Sequence, residues 1–141
     1  MPAELGLPAL VQRYLERTLP PDAVAPQQLR ITQTGEMFMT PGGRAMRFTA
    51  SERIAADHVG FAWEARFPVA PLISMKVIDR YARDHGSLRV HVLGIPVQRQ
   101  SGPEVAVSEA YRYLAELPWV RYAMAFNPQL TCAKSMSASW R

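Results

Sequence analysis

The residue types able to do chemistry in this chain are few, and their spacing joins no two of them into a familiar catalytic unit. The three histidines, His58, His85 and His91, lack the H-E-x-x-H spacing that puts two imidazoles on one helix face. The single cysteine, Cys132, has no cysteine partner for a disulfide or a thiolate metal site, and no base stands near it in sequence. No metal site and no cofactor is therefore expected. A G-x-S-x-G nucleophile elbow is absent, and Gly42-Gly43 lacks the Lys-Ser/Thr pair and following helix of a phosphate loop. That leaves carboxylates. Asp57, Glu64, Asp79 and Asp84 stand among arginines, and one of them buried against an arginine would have the perturbed acidity of a site residue. Surface pairing is the simpler expectation for all four.

A second kind of chemistry is apolar binding. Met37, Met39, Met46, Met75 and Met124 accompany Phe48, Phe61, Trp63, Phe67, Tyr81, Trp119 and Phe126. Methionine is flexible and polarisable, so such a set either fills an irregular core or lines an adaptable ligand surface. An ordinary core is the plainer reading of any aromatic stripe.

The elements that position these residues follow from periodicity. Leu7, Leu10, Val11, Tyr14 and Leu15 recur at helical spacing, and Pro20-Pro21 must end that helix. From Gln28 the period changes to two. Leu29 and Ile31 alternate with Arg30 and Thr32, and Thr40-Pro-Gly-Gly-Arg44 signals a turn. Met46 and Phe48 alternate with Arg47 and Thr49. Phe61, Trp63, Ala65 and Phe67 share one face, with Glu64 and Arg66 on the other. Ile73, Met75 and Val77 form a further strand, His85-Gly86 reads as a turn, and Leu88, Val90 and Val92 alternate with Arg89 and His91. Gly94 and Pro96 are expected to end that run.

Ser101-Gly-Pro-Glu104 matches a capping box, and Val107, Ala110, Tyr111, Leu114 and Leu117 continue as a helix that Pro118 stops. An apolar stretch, Trp119 to Phe126, leads into a serine-rich end at Cys132–Arg141, read as an edge strand or a frayed tail. The expected architecture is a single α+β domain over residues 1–141. It has a helix at about 7–18, five strands between about 28 and 97, a helix at about 103–117 and an apolar tail over 119–141. Nothing between the strands is long enough for a crossover helix, so the strands form an antiparallel meander, a curved sheet packed against an N-terminal and a C-terminal helix.

Composition bounds the partners. Of 141 residues, 48% are hydrophobic and 20% charged, which are globular values, and one domain is the expectation at this length. The net charge of +4 favours anionic partners. The arginines are scattered with no run of five, which disfavours nucleic acid as a partner. No stretch has the length of a membrane span and no secretory leader is visible, so a cytoplasmic location is the simplest expectation; a cysteine-poor periplasmic protein or a longer, membrane-anchored precursor would read the same way.

Four blocks carry a resemblance. Leu7-Pro with Val11 and Arg13-Tyr-Leu15, Phe61-Ala-Trp-Glu-Ala65, Gly86 to Val97, and Arg112-Tyr-Leu-Ala-Glu-Leu-Pro-Trp119 stand in the same order as in a bacterial family of unknown function, DUF6544 (formerly DUF6920). The resemblance spans about residues 5–130 and implies a curved sheet wrapping a helix, similar in outline to lipoprotein-carrier proteins. It brings no activity and no catalytic residues. Typical members continue with further strands, so a C-terminally shortened sheet with an open edge is expected here.

The leading functional expectation is a non-enzymatic domain that binds a lipid-like or other apolar small molecule in a concave sheet. Phe48, Phe61, Trp63, Phe67 and Met75 would line it, with Arg66 and Arg89 at the rim for an acidic head group. The second is an interaction module that homodimerises or docks a partner through a sheet edge or the Trp119–Phe126 segment. The third is an enzyme using Asp79 or Glu64 beside an arginine.

Overall fold

In the computed structural model, which describes residues 7–132, the order is α1 (Ala9–Thr18), β1 (Gln28–Phe38), β2 (Ala45–Ala55), β3 (Gly60–Ala70), β4 (Ile73–Ala82), β5 (His85–Val92), β6 (Ile95–Ser101), α2 (Pro103–Glu116) and α3 (Arg121–Phe126). The six strands form one open antiparallel sheet in sequential order, a meander as the alternation implies. The serine-rich end expected as an edge strand or frayed tail lies outside the described residues beyond Cys132.

The period-two pattern sorts the side chains onto two faces that differ sharply. The inner face carries Leu29, Ile31, Ala50, Ile54, Phe61, Trp63, Ala65, Phe67, Val77, Tyr81 and Val90, and α2 lies across it above β4 and β5. The outer face carries Arg30, Arg47, Thr49, Ser51, Arg53, Arg66, Arg80 and Arg89, and among the described residues no helix packs over it. A sheet that buries one face and wets the other needs this alternation, and every strand from β2 to β5 obeys it. Tyr113 of α2 is buried and donates from its hydroxyl, shared between the carbonyls of Ala55 and His58, while the buried Asn127 donates to that hydroxyl at 2.8 Å. This chain of bonds ties α2, the segment after α3 and the β2–β3 loop together. Helix α1 packs against α3, and its Tyr14 hydroxyl donates to the Pro118 carbonyl at 2.6 Å.

Three local expectations are corrected. The run of β5 ends before Gly94 as expected, but the strand count of five is short by one, because the chain turns at Leu93-Gly94 and forms a sixth strand, β6. It lies at the sheet edge, where Pro96 removes no ladder bond that the fold needs and sits at a register shift against β5. The capping box does not form. Gly102 caps α2 with φ of 124°, no side chain bonds to the cap, and Pro103 opens the helix, a position where its missing N–H costs nothing. The turn read at His85-Gly86 lies two residues earlier, at Arg83-Asp84, both with positive φ as a two-residue hairpin turn requires.

Gly86 has another task. A Cβ built there would lie 2.9 Å from the Ala106 backbone and from the Val105 carbonyl carbon, so α2 can approach β5 closely only over a residue with no side chain. Gly86→Ala is therefore expected to push the first turns of α2 off the sheet and cost about 1–3 kcal/mol, as overpacking does. Urea unfolding checks this; an unchanged midpoint would mean that α2 has room to spare.

Candidate functional site

Two sites stand out, one on each face, and they differ in whether a ligand can reach them. The first lies beneath α2. Glu52 and Asp79 occupy inward positions of β2 and β4 between apolar neighbours, 0% and 4% exposed, while Glu109, 7% exposed, comes from α2. Arg112, three residues on, reaches down between them. Its guanidinium donates to Asp79 Oδ2, to Glu52 Oε1 at 3.3 Å and to Glu116 Oε1 at 3.0 Å. The same group lies over the rings of Phe61, at 4.7 Å, and Trp63, at 5.0 Å, where the ring faces attract a cation. Trp63 Nε1 donates to Gln33 Oε1, and Gln33 Nε2 donates to Glu52 Oε2, so the network extends to β1.

One cation faces four carboxyl groups, and that imbalance sets their acidity. Burial, reinforced by repulsion from Glu116, lifts Glu52 to about 7 despite Arg112. Burial and the neighbouring Asp79 lift Glu109 to about 7 as well. Asp79 is also raised by burial, with Arg112 and Glu109 opposing the rise. Arg112 is held above its ordinary value, because Glu116, Asp79 and Glu52 outweigh the effect of its burial. Asp79 Oδ1 and Glu109 Oε2 are both buried with no donor among the described residues. A proton on Glu109, shared with Asp79, satisfies both. The network is thus one arginine among four carboxyl groups, of which Glu52 and Glu109 keep their protons into the neutral range.

A carboxyl titrating near neutrality is the equipment of a general acid, but the larger surface basins are lined by other residues. The geometry is that of a clamp fastening α2 to β2 and β4. Among the described residues no group of three or more His, Cys, Asp or Glu side chains can hold a metal ion.

The second site is on the outer face at the end of the sheet where the β1–β2, β3–β4 and β5–β6 turns lie. A shallow basin of about 360 Å³ is lined by Arg66, Leu72, Ser74, Lys76, Ile78, His91, Leu93 and Gly94. Arg66, Lys76 and His91 stand in register on β3, β4 and β5, a row of two cations and an imidazole across three strands. Lys76 is paired to Glu64 at 2.7 Å, and His91 Nδ1 is shielded from solvent with no hydrogen-bond partner. Leu72 and Leu93 border the row, 105% and 66% exposed, with φ of 62° and 51°. These are left-handed turn positions that favour Gly, Asn or Asp, and an L-residue with a Cβ pays about 1–2 kcal/mol to stand there. Two exposed leucines on two such positions are costly twice over.

The residues expected to form one apolar site are divided by this arrangement. Phe61, Trp63 and Phe67 are buried in the core, the first two beneath Arg112; Phe48 packs on Trp63 and Phe67, and Met75 is half-buried beside them. Arg66 and Arg89 project from the opposite face; Arg66 shares a basin of about 580 Å³ with Phe48, whereas Arg89 lines none with the aromatic residues among the basins described. Asp79 is the buried, arginine-paired carboxylate. Glu64 pairs with Lys76 on the outer face, and Asp57, bonded to His58, is exposed and lowered by that bond. Sequence reasoning missed Glu52, Glu109 and Arg112. The available signal was an acid at an inward register, Glu52 between Ala50 and Ile54 and Asp79 between Val77 and Tyr81.

A family model described as a family of unknown function, DUF6544, matches residues 3–135 of the 141, and the chain belongs to that family. No curated protein and no solved structure matches it.

The clamp predicts a pH dependence with a definite sign. Glu52 and Glu109 have folded pKa values above their unfolded value of 4.5, so their contribution is fully present below about pH 4.5 and is lost as pH rises through about 7. Stability should therefore fall between pH 5 and pH 8, by on the order of 2 kcal/mol for each ionisation. Glu52→Gln, which copies the protonated carboxyl, should flatten part of this slope and leave the protein more stable than the wild type at pH 8. Arg112→Ala should cost about 3–5 kcal/mol by leaving buried carboxylates uncompensated. Denaturant titrations at both pH values test all three statements; a wild type more stable at pH 8 than at pH 5 would contradict them.

Proposed function

We propose that this member of the DUF6544 family is a non-enzymatic binding domain for a lipid-like amphiphile with an anionic head group, held in the outer basin between the β3–β4 and β5–β6 turns. The observation that carries the reading is the juxtaposition of the Arg66–Lys76–His91 row with Leu72 and Leu93. A guanidinium, an ammonium and an imidazole in a row suit a phosphate or carboxylate head. Exposed leucines and Ile78 suit the first methylenes of a chain, each CH₂ removed from water contributing about 0.8 kcal/mol. The position of the leucines supports the same reading, since a chain selected for stability alone would carry Asn or Gly at both turns. The inner face, by contrast, is filled by its own aromatic side chains and the Arg112 clamp.

The rival reading, pairing of a second copy along the free edge of β6, draws on exposed Ile95 and Val97. Against it stand Pro96, the register shift beside it and the polar Gln98-Arg99-Gln100, which are devices that blunt an edge.

The test separates binding from folding. Leu72→Asn and Leu93→Asn should each raise stability by about 0.5–1 kcal/mol, because the substituted residue suits positive φ. Both should weaken binding of monomeric lysophosphatidic acid, measured by isothermal titration, with lysophosphatidylcholine as the zwitterionic comparison. Equal binding of the two lipids, or lysophosphatidic acid binding untouched by the double variant, would overturn the proposal.

A further inference from the structure

The outer face carries a second feature, which begins at the basin's Arg66 and Lys76 and extends well beyond it. Arg30 stands directly opposite Arg53 across β1 and β2, Arg66 opposite Lys76 across β3 and β4, and Arg89 opposite Arg99 across β5 and β6. Like charges directly opposed in an antiparallel pair destabilise it, and here three such pairs sit on one exposed face. Arg47 and Arg80 add to them, while Glu36 and Glu64 are the acids on the outward positions of β1 to β5. That face holds eight cations against two acids, more positive charge than the +4 of the whole chain. Among the described residues no ion pair involves Arg30, Arg53, Arg80, Arg89 or Arg99. Between Arg53 and Arg80 the small Ala62 leaves a hollow of about 220 Å³, reached also by Arg30 and Ser51. The scatter of arginines along the sequence, which argued against a basic surface, is undone by the strand period: the arginines of β1 to β5 fall on a single side.

We infer that this face docks onto an anionic lipid bilayer, lying flat on the head groups with Leu72 and Leu93 dipping at one end. Charge complementarity selects an anionic partner. The choice of a bilayer rests on the other residues of the face. Among the described residues its outward positions include Thr32, Thr34, Thr49, Ser51, Ala62, Ser74, Ile78 and Ser87 beside the charged groups, and its aromatic rings, Phe38 and His91, stand toward the turn end rather than between the arginines of the middle rows, where a nucleobase would have to stack. The cations spread over six strands, roughly 24 Å at the usual strand spacing, in two dimensions rather than along one groove. At one end the apolar side chains of Leu72 and Leu93 stand out from the turns, with Phe38, Met39 and Val69 exposed at the same end. Cationic surface with a protruding apolar end fits a charged interface over a hydrocarbon layer. This inference concerns the surface to which the domain is brought; it shares Leu72, Leu93 and the Arg66–Lys76 pair with the amphiphile reading, and its test rests on Arg30 and Arg89, which do not line the basin.

The test is co-sedimentation with vesicles of phosphatidylcholine, with and without phosphatidylglycerol. Arg30→Glu together with Arg89→Glu turns two repulsive pairs into two attractive ones, so the variant should melt no lower than the wild type. The wild type should sediment with the anionic vesicles, be released by salt and ignore pure phosphatidylcholine. The double variant should bind the anionic vesicles at least tenfold more weakly, since each cation near such a surface contributes roughly fivefold, while keeping its affinity for lysophosphatidic acid. A wild type that ignores anionic vesicles, a double variant that binds them as well as the wild type, or a single-stranded oligonucleotide bound more tightly than the vesicles would each overturn the inference. Vesicle binding undiminished in the Leu72/Leu93 variant would overturn the placement of the turn leucines in the bilayer.

Discussion

The guanidinium of Arg112 is the point on which the two halves of this fold meet. A six-stranded open sheet cannot stand alone with one apolar face exposed, and α2 covers that face over β4 to β6. The helix is held by contact over Gly86, by Tyr113 reaching the β2–β3 loop, and by Arg112 lying on Phe61 and Trp63 between Glu52 and Asp79. Replacing such a buried ionic cluster with apolar groups is commonly neutral or stabilising, so its presence is weak evidence for stability as such. Its effect is geometric. Carboxyls on β2 and β4 and an arginine on α2 admit one helix position, and a slide of α2 along the sheet would strand at least one charge.

That clamp also decides which face is available for function. With Arg112 over the two rings and Phe48 stacked near Trp63 and Phe67, the inner face is committed to packing. The outer face is where the fold accepts costs it could avoid: leucines at positive φ, arginines set opposite arginines, a lysine opposite an arginine. Local strain and repulsion that a neutral substitution would relieve are the physical marks of a surface kept for a partner.

Much of the architecture was legible because strand period is a strong signal. Phe61, Trp63, Ala65 and Phe67 against Glu64 and Arg66 placed β3 and both its faces correctly, and Leu10 to Leu15 and Val107 to Leu117 marked the long helices. The rest depended on information that spacing does not carry. Gly86 reads as a turn glycine, and only the approach of α2 shows why it lacks a side chain. Pro96 argues against a strand unless that strand is at an edge. Ser101 and Glu104 fit a capping box in composition, yet Gly102 supplies the turn. For the site, Asp79 stood among the candidate acids and Glu52 did not, although both occupy inward registers, and their partner arrives from a helix thirty or more residues away. The basic face was hidden for the opposite reason: its arginines never cluster in sequence, and the sheet gathers them.

The central claim is this division of labour, an inner face closed by the clamp and an outer face open to an amphiphile. Methyl-detected NMR in the presence of an anionic amphiphile carrying a nitroxide near its head group reads it directly. The account predicts that the methyl signals of Leu72, Leu93 and Ile78 broaden first while those of Ile54, Val77 and Val90 stay sharp. Broadening of Ile54, Val77 and Val90 ahead of the turn leucines would contradict it and would place the ligand between the sheet and α2.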